Sequence, residues 1–423
     1  MIKRSMVTIM LVIMIMLSAC SDNAANGGNQ DSELVKDTAA DDKKMPEVYI
    51  ERVPAASDFS YIYKDVKTLP HNDKYSDWGI DIRSSDISAD NIMDRYDDLL
   101  YTNFDSKTKW PEKLPEGFYP EEVMDLYKDP GLNIRELHKS GITGKGVGIA
   151  ILDQNLLVDH IEYKEQLRFY EEDEEYEGHS SAMHGPAVAS IAVGKTVGVA
   201  PEADLYFIAS SFGENIDGEF VYDYTAVAKN IERIIEINKE LPLDRKIRVI
   251  SISLGFREDN KGYGDFAKAV SAADKENIKV INVGTDSRKG IQFMGVGREP
   301  LSDSNNFSVY KPGLFWRDNV KFVFERSKNI LIPMDFRCTA SPTGQEDYAV
   351  YISGGMSWAV PYLAGTYALA CQVNPEITYD RFVDIAYNTG ETIMLKNSDG
   401  SEYKFEKIIN PVKLIEKVKE KSE

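Results

Sequence analysis

Cysteine is scarce in this chain, with three residues in 423: Cys20, Cys338 and Cys371. Neither of the last two lies in the polar, helix-starting context that activates a thiol, so the sequence does not indicate cysteine catalysis. Nothing in the sequence requires a disulfide between them, and nothing forbids one. A chain of this length can bury a large core, in one large domain with or without a smaller partner.

Basic residues are also in short supply, since 49 Lys and Arg stand against 69 Asp and Glu, and the formal net charge is -20. Binding to phosphates needs clustered basic side chains, so this balance argues against a nucleic-acid partner. The acidic surface favours solubility and says little about substrate. A hydrophobic content of 43%, with 23 Tyr and 17 Phe, is typical of a globular protein.

The apolar run near the start, MVTIMLVIMIML at residues 6–17, falls short of the length that crosses a bilayer comfortably. With Lys3 and Arg4 before it, the run is typical of a secretory signal. It ends in LSAC, which resembles a bacterial lipobox. The resemblance implies that residues 1–19 are removed and that Cys20 receives lipid, which would anchor the exported chain to the outer face of the bacterial cell membrane. An ordinary secretory signal is the alternative.

The chain after the signal divides by composition. Residues 20–46 begin with the lipidated Cys20 and are rich in Asn, Asp, Gly and Ala, which predicts a flexible tether of roughly 25 to 30 Å. Residues 47–124 scatter Tyr, Trp and Pro among charges and are predicted to pack on the main domain, residues 125–423. Three roles are open for residues 47–124: a folding aid, an inhibitor or a permanent extension.

From about residue 125, apolar runs rich in β-branched residues alternate with amphipathic stretches of helix length. The runs are VGIAILD (147–153), DLYFIA (204–209), RVISISLG (248–255) and KVINVG (279–284). This alternation predicts an α/β fold with a mostly parallel central sheet covered by helices on both faces. In such folds the functional site lies at the carboxyl ends of the strands.

Three polar residues stand at element boundaries of this pattern. Asp153 ends the first apolar run, His184 opens the helical stretch HGPAVASIAVG, and Ser357 opens another in GGMSWAVPYLAG (354–365). Each alone has an ordinary structural explanation, since Asp and Ser are common helix caps and turn residues. Together they are the components of a hydroxyl nucleophile, its general base and the carboxylate that orients the base.

The segments around these residues resemble those of the subtilisin-like serine proteases, the subtilases. GITGKGVGIAILDQN is similar to the family's Asp block, HGPAVASIAVG with GVAPEADLY to its His block, ISISLG to its substrate-binding strand, and GGMSWAVPYLAG to its Gly-Thr-Ser-Met-Ala-x-Pro signature. The family's histidine seven residues after the Asp is also present, as His160. The similarity covers roughly residues 130–415 and implies a subtilisin-like three-layer fold.

The resemblance implies a role for each site residue. Ser357 is the expected nucleophile, with its own backbone N–H directed at the attacked carbonyl. His184 is the expected general base, and Asp153 accepts from its Nδ1 so that Nε2 can take the Ser proton. The residues expected to hold an extended peptide by strand addition are Ser253, Leu254, Gly255 and Gly284.

Two of the family's short motifs are altered in ways that the fold is expected to tolerate. Asp-Ser/Thr-Gly is Asp-Gln-Asn here, at residues 153–155, and Asn155 is the next-best residue for a left-handed backbone. His-Gly-Thr is His-Gly-Pro, at residues 184–186, and proline is accepted in the first turn of a helix.

A third departure concerns the oxyanion donor. The family places an Asn where KVINVGTDS has Thr285, whose hydroxyl can donate one hydrogen bond with a different reach and angle from a carboxamide. Thr285 is the expected replacement, and Asn282 or a residue of the segment 286–330 is the alternative.

Other polar and aromatic residues carry weaker signals. The stretch EEDEEYE (171–177) is either a solvated acidic loop or a structural calcium site of the kind many subtilases have, although it lacks the alternating oxygens of a tight calcium loop. His179 is a candidate for lining the cleft, and Phe315 and Trp316 are predicted core residues. The sequence requires no cofactor or metal.

The sequence therefore predicts a serine endopeptidase that cleaves peptide or protein substrates through an acyl-enzyme on Ser357. The alternative is a catalytically weak subtilase-like pseudoprotease that binds peptides or proteins, which the change at Thr285 permits. An esterase of the α/β-hydrolase class is excluded, because no Gly-x-Ser-x-Gly elbow surrounds Ser357 and the order of Asp, His and Ser along the chain differs.

Overall fold

The computed structural model describes residues 47–57, 59, 65–71, 78–285, 290–316, 328–397 and 399–420. The predicted signal, the predicted lipidation site Cys20 and the predicted tether up to residue 46 lie outside the described residues. Parts of the alternative oxyanion segment, residues 286–289 and 317–327, do so too. Among the helices that the structure describes, none combines the length and apolar composition that crossing a bilayer requires.

The strands and helices of the described chain are numbered separately, each in chain order. The strands are β1 Tyr49–Ile50, β2 Ile80–Asp81, β3 Thr102–Asp105, β4 Gly148–Asp153, β5 Leu167–Glu172, β6 Asp204–Ala209, β7 Gly213–Ile216, β8 Glu219–Tyr222, β9 Ile247–Ile252, β10 Lys279–Asn282, β11 Ile291–Arg298, β12 Tyr310–Pro312, β13 Lys328–Pro333, β14 Arg337–Ala340, β15 Tyr348–Tyr351, β16 Glu391–Lys396 and β17 Glu402–Ile408. The helices are α1 Tyr96–Leu99, α2 Pro120–Tyr127, α3 Ile134–Lys139, α4 His184–Val193, α5 Thr225–Glu240, α6 Tyr263–Lys275, α7 Met356–Val373, α8 Tyr379–Thr389 and α9 Pro411–Lys419.

A six-stranded parallel sheet forms the centre of the structure, in the order β1-β5-β6-β4-β9-β10. The four predicted apolar runs form β4, β6, β9 and β10. All six residues of β4 are buried, as expected of a strand covered on both faces. The strand thereby carries Asp153 to the carboxyl edge of the sheet.

Helices cover both faces of this sheet, which confirms the predicted α/β class. Ile149 and Ile151 of β4 belong to the apolar cluster that includes α4 and α7. Ala150 and Leu152 point the other way, into the cluster that includes α5 and α6. Successive side chains of a strand alternate between faces, so one short strand links both halves of the core.

Two further sheets complete the described structure around the central one. A five-stranded sheet runs β12-β11-β13-β17-β16, and a four-stranded sheet runs β14-β15-β3-β2. The segment 47–124 contributes to two of the sheets, with β1 at an edge of the central sheet and β2 and β3 in the four-stranded sheet. The remaining pair, β7 and β8, forms an antiparallel hairpin.

A buried carboxyl group lies where β13 of the five-stranded sheet leads into β14 of the four-stranded sheet. Asp335 is 2% exposed, and its Oδ2 accepts a hydrogen bond of 3.0 Å from the backbone N–H of Leu314. A side chain at Gly297 or Gly313 would approach that oxygen within 2.6 or 2.8 Å, so both positions are restricted to glycine. Burial raises the pKa of Asp335 to about 7.

The replacement Asp335→Asn should change how stability depends on pH. The folded carboxyl keeps its proton up to about pH 7, whereas the unfolded one releases it from about pH 4. Across this window the folded state binds more protons, so rising pH lowers the free energy of unfolding, by at most about 1.4 kcal/mol per pH unit from this group. Relative to wild type, the Asn variant should therefore gain stability between pH 4 and 7 and gain no more above that. Urea unfolding at several pH values measures the difference, and a constant difference across the window contradicts the expectation.

Candidate active site

Asp153 and His184 are joined by a short hydrogen bond. Asp153 is the last residue of β4, His184 is the first residue of α4, and Nδ1 lies 2.7 Å from Asp153 Oδ1. The Gln154 backbone N–H donates to the same carboxylate oxygen at 2.8 Å. An ionised carboxylate only accepts hydrogen bonds, so His184 carries its proton on Nδ1 and leaves Nε2 as an acceptor in the neutral ring.

The start of α4 packs directly on the turn that follows β4. A Cβ atom at Gly185 would lie 2.3 Å from the carbonyl oxygen of Gln154 and 2.9 Å from that of Asn155. Only glycine allows this approach, which brings His184 within reach of Asp153. Pro186 is accommodated because the first N–H groups of a helix have no partner within it.

The reason expected for Asn155 is wrong. Asn155 is not among the residues with a left-handed backbone. It is 1% exposed, and its Nδ2 donates to Glu172 Oε1 at 2.9 Å and to the carbonyl oxygen of Tyr176 at 3.1 Å. The amide is therefore selected by two hydrogen bonds that tie the turn after β4 to the end of β5.

Ser357 lies in the first turn of α7, next to the start of α4. The ring of the following residue, Trp358, meets the His184 ring edge-on, with 5.4 Å between centroids. Ser357 Oγ donates to the carbonyl oxygen of Ser253 at 3.3 Å, a long hydrogen bond. The structure thus brings all three predicted residues to one edge of the central sheet.

Ser253 and Ser357 form a reciprocal pair that compensates for a proline. Pro361 lies inside α7 and has no N–H to donate to the carbonyl four residues earlier, that of Ser357. Ser253 Oγ donates to this carbonyl instead, at 2.9 Å. The sequence signal for this contact is a proline four residues after the helix-starting serine.

Replacing Ser253 by alanine should leave the Ser357 carbonyl unsatisfied and lower the free energy of unfolding by about 1–3 kcal/mol. Ser251→Ala is a matched control, because the buried Oγ of Ser251, two residues earlier in β9, has no hydrogen-bond partner among the described residues. Chemical denaturation of both variants measures the effect. Equal stability of the two variants would show that the Ser253 hydroxyl is not needed at the helix.

The predicted peptide-binding residues differ in how their backbone N–H and C=O groups are hydrogen-bonded. Leu254 donates to Ile252 O at 2.8 Å and accepts from Val283 N–H at 3.1 Å, so its backbone is occupied. The Gly284 N–H donates to Asn282 Oδ1 at 2.8 Å. Gly255 makes no hydrogen bond to any residue that the structure describes. Its N–H and C=O are therefore available to an added strand.

Thr285 lies just beyond β10 and is tied to Asn282. Its Oγ1 accepts from the Asn282 backbone N–H at 2.7 Å, and its own N–H donates to Asn282 O at 3.0 Å. A hydroxyl that accepts in this way still has its proton to donate. Asn282 Oδ1 accepts from Gly284, which leaves the Asn282 amide Nδ2 as the other donor at this strand end.

His160 has a structural role in this arrangement. It is fully buried, Nε2 lies 2.8 Å from the carbonyl oxygen of Asp347, and Nδ1 accepts from the Glu162 N–H at 3.2 Å. Burial lowers the pKa of His160. The ring is thus a neutral link that holds residues near Asp347 against the turn after β4.

The acidic stretch 171–177 is only partly the solvated loop that the sequence suggested. Glu171 and Glu172 end β5, and Glu172 forms an ion pair of 2.7 Å with Arg52. In the part of the chain that the structure describes, no group of three or more His, Cys, Asp or Glu side chains could hold a metal ion. His179 is exposed, and its carbonyl accepts from Arg52.

Phe315 and Trp316 lie in the core, as predicted. Both are buried within the large apolar cluster beneath α7, and Trp316 Nε1 donates to the carbonyl oxygen of Gly295 at 2.7 Å. Neither side chain is therefore placed to bind substrate.

Residues 144–401, more than half of the chain, match the family model described as the subtilase family of S8 peptidases. The chain therefore belongs to the subtilase family. The matched range includes Asp153, His184 and Ser357, and also Ser253 and Thr285.

Three relatives carry the name serine protease. The major intracellular serine protease of Bacillus subtilis (strain 168) is 27% identical over 176 residues, which cover 38% of this chain and 50% of that protein. An intracellular serine protease of Paenibacillus polymyxa is 29% identical over 251 residues, 54% of this chain and 68% of that protein. Serine protease AprX of Bacillus subtilis (strain 168) is 26% identical over 293 residues, 60% of this chain and 64% of that protein. The chain thus spans about half to two thirds of the length of these relatives.

Among solved structures, the prenylagaramide maturation protease PagA matches with a TM-score of 0.44 and 16% sequence identity, covering 68% of this chain and 98% of that chain. A likeness at this level adds nothing to the family assignment.

Proposed function

We propose that this protein is a serine endopeptidase in which Ser357 attacks the peptide carbonyl, His184 acts as general base and Asp153 orients the histidine. The observation that carries the proposal is the 2.7 Å hydrogen bond from His184 Nδ1 to Asp153, beside the helix start that bears Ser357. Membership of the subtilase family and the serine-protease names of the relatives support it.

The first half of the reaction forms the acyl-enzyme. Ser357 Oγ exchanges its long hydrogen bond to Ser253 for His184 Nε2, transfers its proton there and bonds to the substrate carbonyl carbon. Negative charge develops on the substrate oxygen. The backbone N–H of Ser357, in the first turn of α7, is free of helical partners and can stabilise that charge together with a second donor.

The second half releases both products. Protonated His184 gives its proton to the leaving amine, and the carbon–nitrogen bond breaks. Water then enters, transfers a proton to Nε2 and attacks the acyl carbon, and Ser357 regains its proton as the acid product leaves. The proposed chemistry uses protein side chains, the Ser357 backbone N–H and water.

A fluorophosphonate probe tests the role of Ser357. Wild type should be labelled covalently, and Ser357→Ala should not. Ser353→Ala is a control in the same loop, since the buried hydroxyl of Ser353 has no partner among the described residues, and it should be labelled like wild type. Folded wild type that resists the probe but binds peptides would instead support the pseudoprotease alternative.

The second oxyanion donor is proposed to be the Thr285 hydroxyl. Thr285→Val keeps the shape and removes the hydroxyl, so kcat should fall roughly 10²- to 10³-fold with little change in KM. Thr285→Ser keeps the hydroxyl and should retain most of the activity. Steady-state kinetics on a fluorogenic peptide measures both. If the two variants have equal kcat, the donor is another group, with the Asn282 amide as the first candidate.

The substrate is proposed to be an extended peptide or protein segment that pairs with Gly255. Export and lipid anchoring are proposed from residues 1–20 alone, and no nucleic-acid partner is expected from the acidic balance of charge. Two of the relatives carry the name intracellular, so location is not carried over from them. The intact mass of the mature chain tests both the cleavage after Ala19 and the lipid on Cys20.

A further inference from the structure

We infer that the N-terminal extension is a permanent part of the enzyme and that it positions the nucleophile segment, defined as residues 352–357. Asn103 and Trp78 are its positioning residues. The inference rests on the proposed role of Ser357, because a segment that bears no nucleophile would need no such support. It excludes removal of the extension during maturation.

The extension pairs with the strand that leads into the nucleophile segment. β15 ends at Tyr351, and it lies between β14 on one side and β3 of the extension on the other. In the antiparallel register, Ala349 faces Asp105 and Val350 faces Phe104. Without β3, this edge of β15 would expose unpaired backbone groups directly before the nucleophile segment.

Asn103 joins the extension to the first residue of the segment through a single carboxamide. Its Oδ1 accepts from the backbone N–H of Ile352 at 2.9 Å. Its Nδ2 donates to the carbonyl oxygens of Trp78 at 2.8 Å and Ile80 at 3.0 Å. Asn103 is 5% exposed, so each of these backbone groups would lose its partner in a nonpolar surrounding if the amide were absent.

Trp78 covers the segment two residues before Ser357. Gly355 has a φ of +59°, and a Cβ atom there would lie 3.4 Å from the Trp78 ring. The same ring packs against Phe315, with 5.7 Å between centroids. The indole thus bounds the space in which the loop before Ser357 can move.

A chain of side chains continues from the extension to the catalytic pair. Arg83 Nη1 donates to the hydroxyl of Tyr351 at 2.8 Å. The Tyr351 ring meets Trp358 edge-on at 5.3 Å, and Trp358 meets His184 in the same way at 5.4 Å. The extension therefore contacts the approach to Ser357 directly and is linked to the ring beside His184 through Tyr351.

The first described residues of the extension also hold the approach to His184. The guanidinium of Arg52 donates twice to Glu172, at 2.7 and 2.8 Å. The carbonyl oxygen of Ala55 accepts from the Ser181 N–H at 2.9 Å, three residues before His184. Release of the extension would break contacts on both sides of the proposed catalytic site.

The full-length variant Asn103→Leu tests the inference, because leucine has the same number and branching of side-chain heavy atoms and no hydrogen-bonding group. At a temperature where it remains folded, its fluorophosphonate labelling rate should fall roughly 10- to 100-fold, as expected when a nucleophile is misplaced by about 1 Å. The KM for a peptide substrate should change little. Ile92→Ala removes buried volume from the apolar cluster that contains Phe104, the neighbour of Asn103, and leaves the Asn103 hydrogen bonds intact, so it should label within about twofold of wild type.

Trp78 variants give a second test of the same inference. Trp78→Ala should slow labelling roughly tenfold or more, and Trp78→Phe, which keeps a ring against Gly355, should recover most of the rate. If Trp78→Ala, Trp78→Phe and Ile92→Ala all lower the labelling rate to the same degree, the cause is a general loss of stability. That result would overturn the positioning role.

Hydrogen exchange separates this inference from the proposed function. In Asn103→Leu the amides of residues 352–357 should exchange faster than in wild type, and in Ile92→Ala they should not. This readout needs no activity, so it decides the positioning role even if wild type resists the probe and the proposed function fails. Unchanged exchange and labelling in Asn103→Leu, or a mature chain that begins beyond Asp105 by intact mass, would overturn the inference.

Discussion

The hydrogen bond between Asp153 and His184 is the contact on which the rest of the site depends. It forms only because α4 begins against the turn after β4, at a distance that excludes any side chain at position 185. The carboxylate is 2% exposed, and two N–H donors on one oxygen compensate for its removal from water. The parallel sheet sets this geometry, since it delivers strand ends and helix starts to one edge.

Helix α7 brings a second constraint to that edge. Pro361 removes a helical donor at the turn that bears Ser357, and Ser253, the residue directly after β9, supplies the replacement. The helix start is therefore fastened to the central sheet from one side. From the other side, the Asn103 amide and the Trp78 ring of the extension hold the loop that enters the helix. Sheet and extension together define where the Ser357 hydroxyl can lie.

Much of the fold and of the candidate site could be predicted from local sequence. The apolar runs that became β4, β6, β9 and β10 were visible because a strand buried on both faces needs consecutive apolar residues. Asp153, His184 and Ser357 were visible because each stands where a run ends or a helix begins. Asn155 shows the limit: its identity suggested a backbone preference, whereas its hydrogen bonds to Glu172 and Tyr176 explain it. Local sequence suggested a loop at Glu171 and Glu172 because their ion-pair partners, Arg233 and Arg52, lie 62 and 120 residues away in the chain.

The sequence by itself determined which residues occupy the element boundaries and which family the chain resembles, because periodicity, glycine and proline act within a few neighbouring residues. Only the tertiary structure decided which of these residues form hydrogen bonds with one another. His184 and Asp153 are 31 residues apart, Ser253 and Ser357 are 104 apart, and Asn103 and Ile352 are 249 apart. A hydrogen bond depends on distances of about 3 Å between such groups, and chain topology, which no local pattern contains, sets those distances.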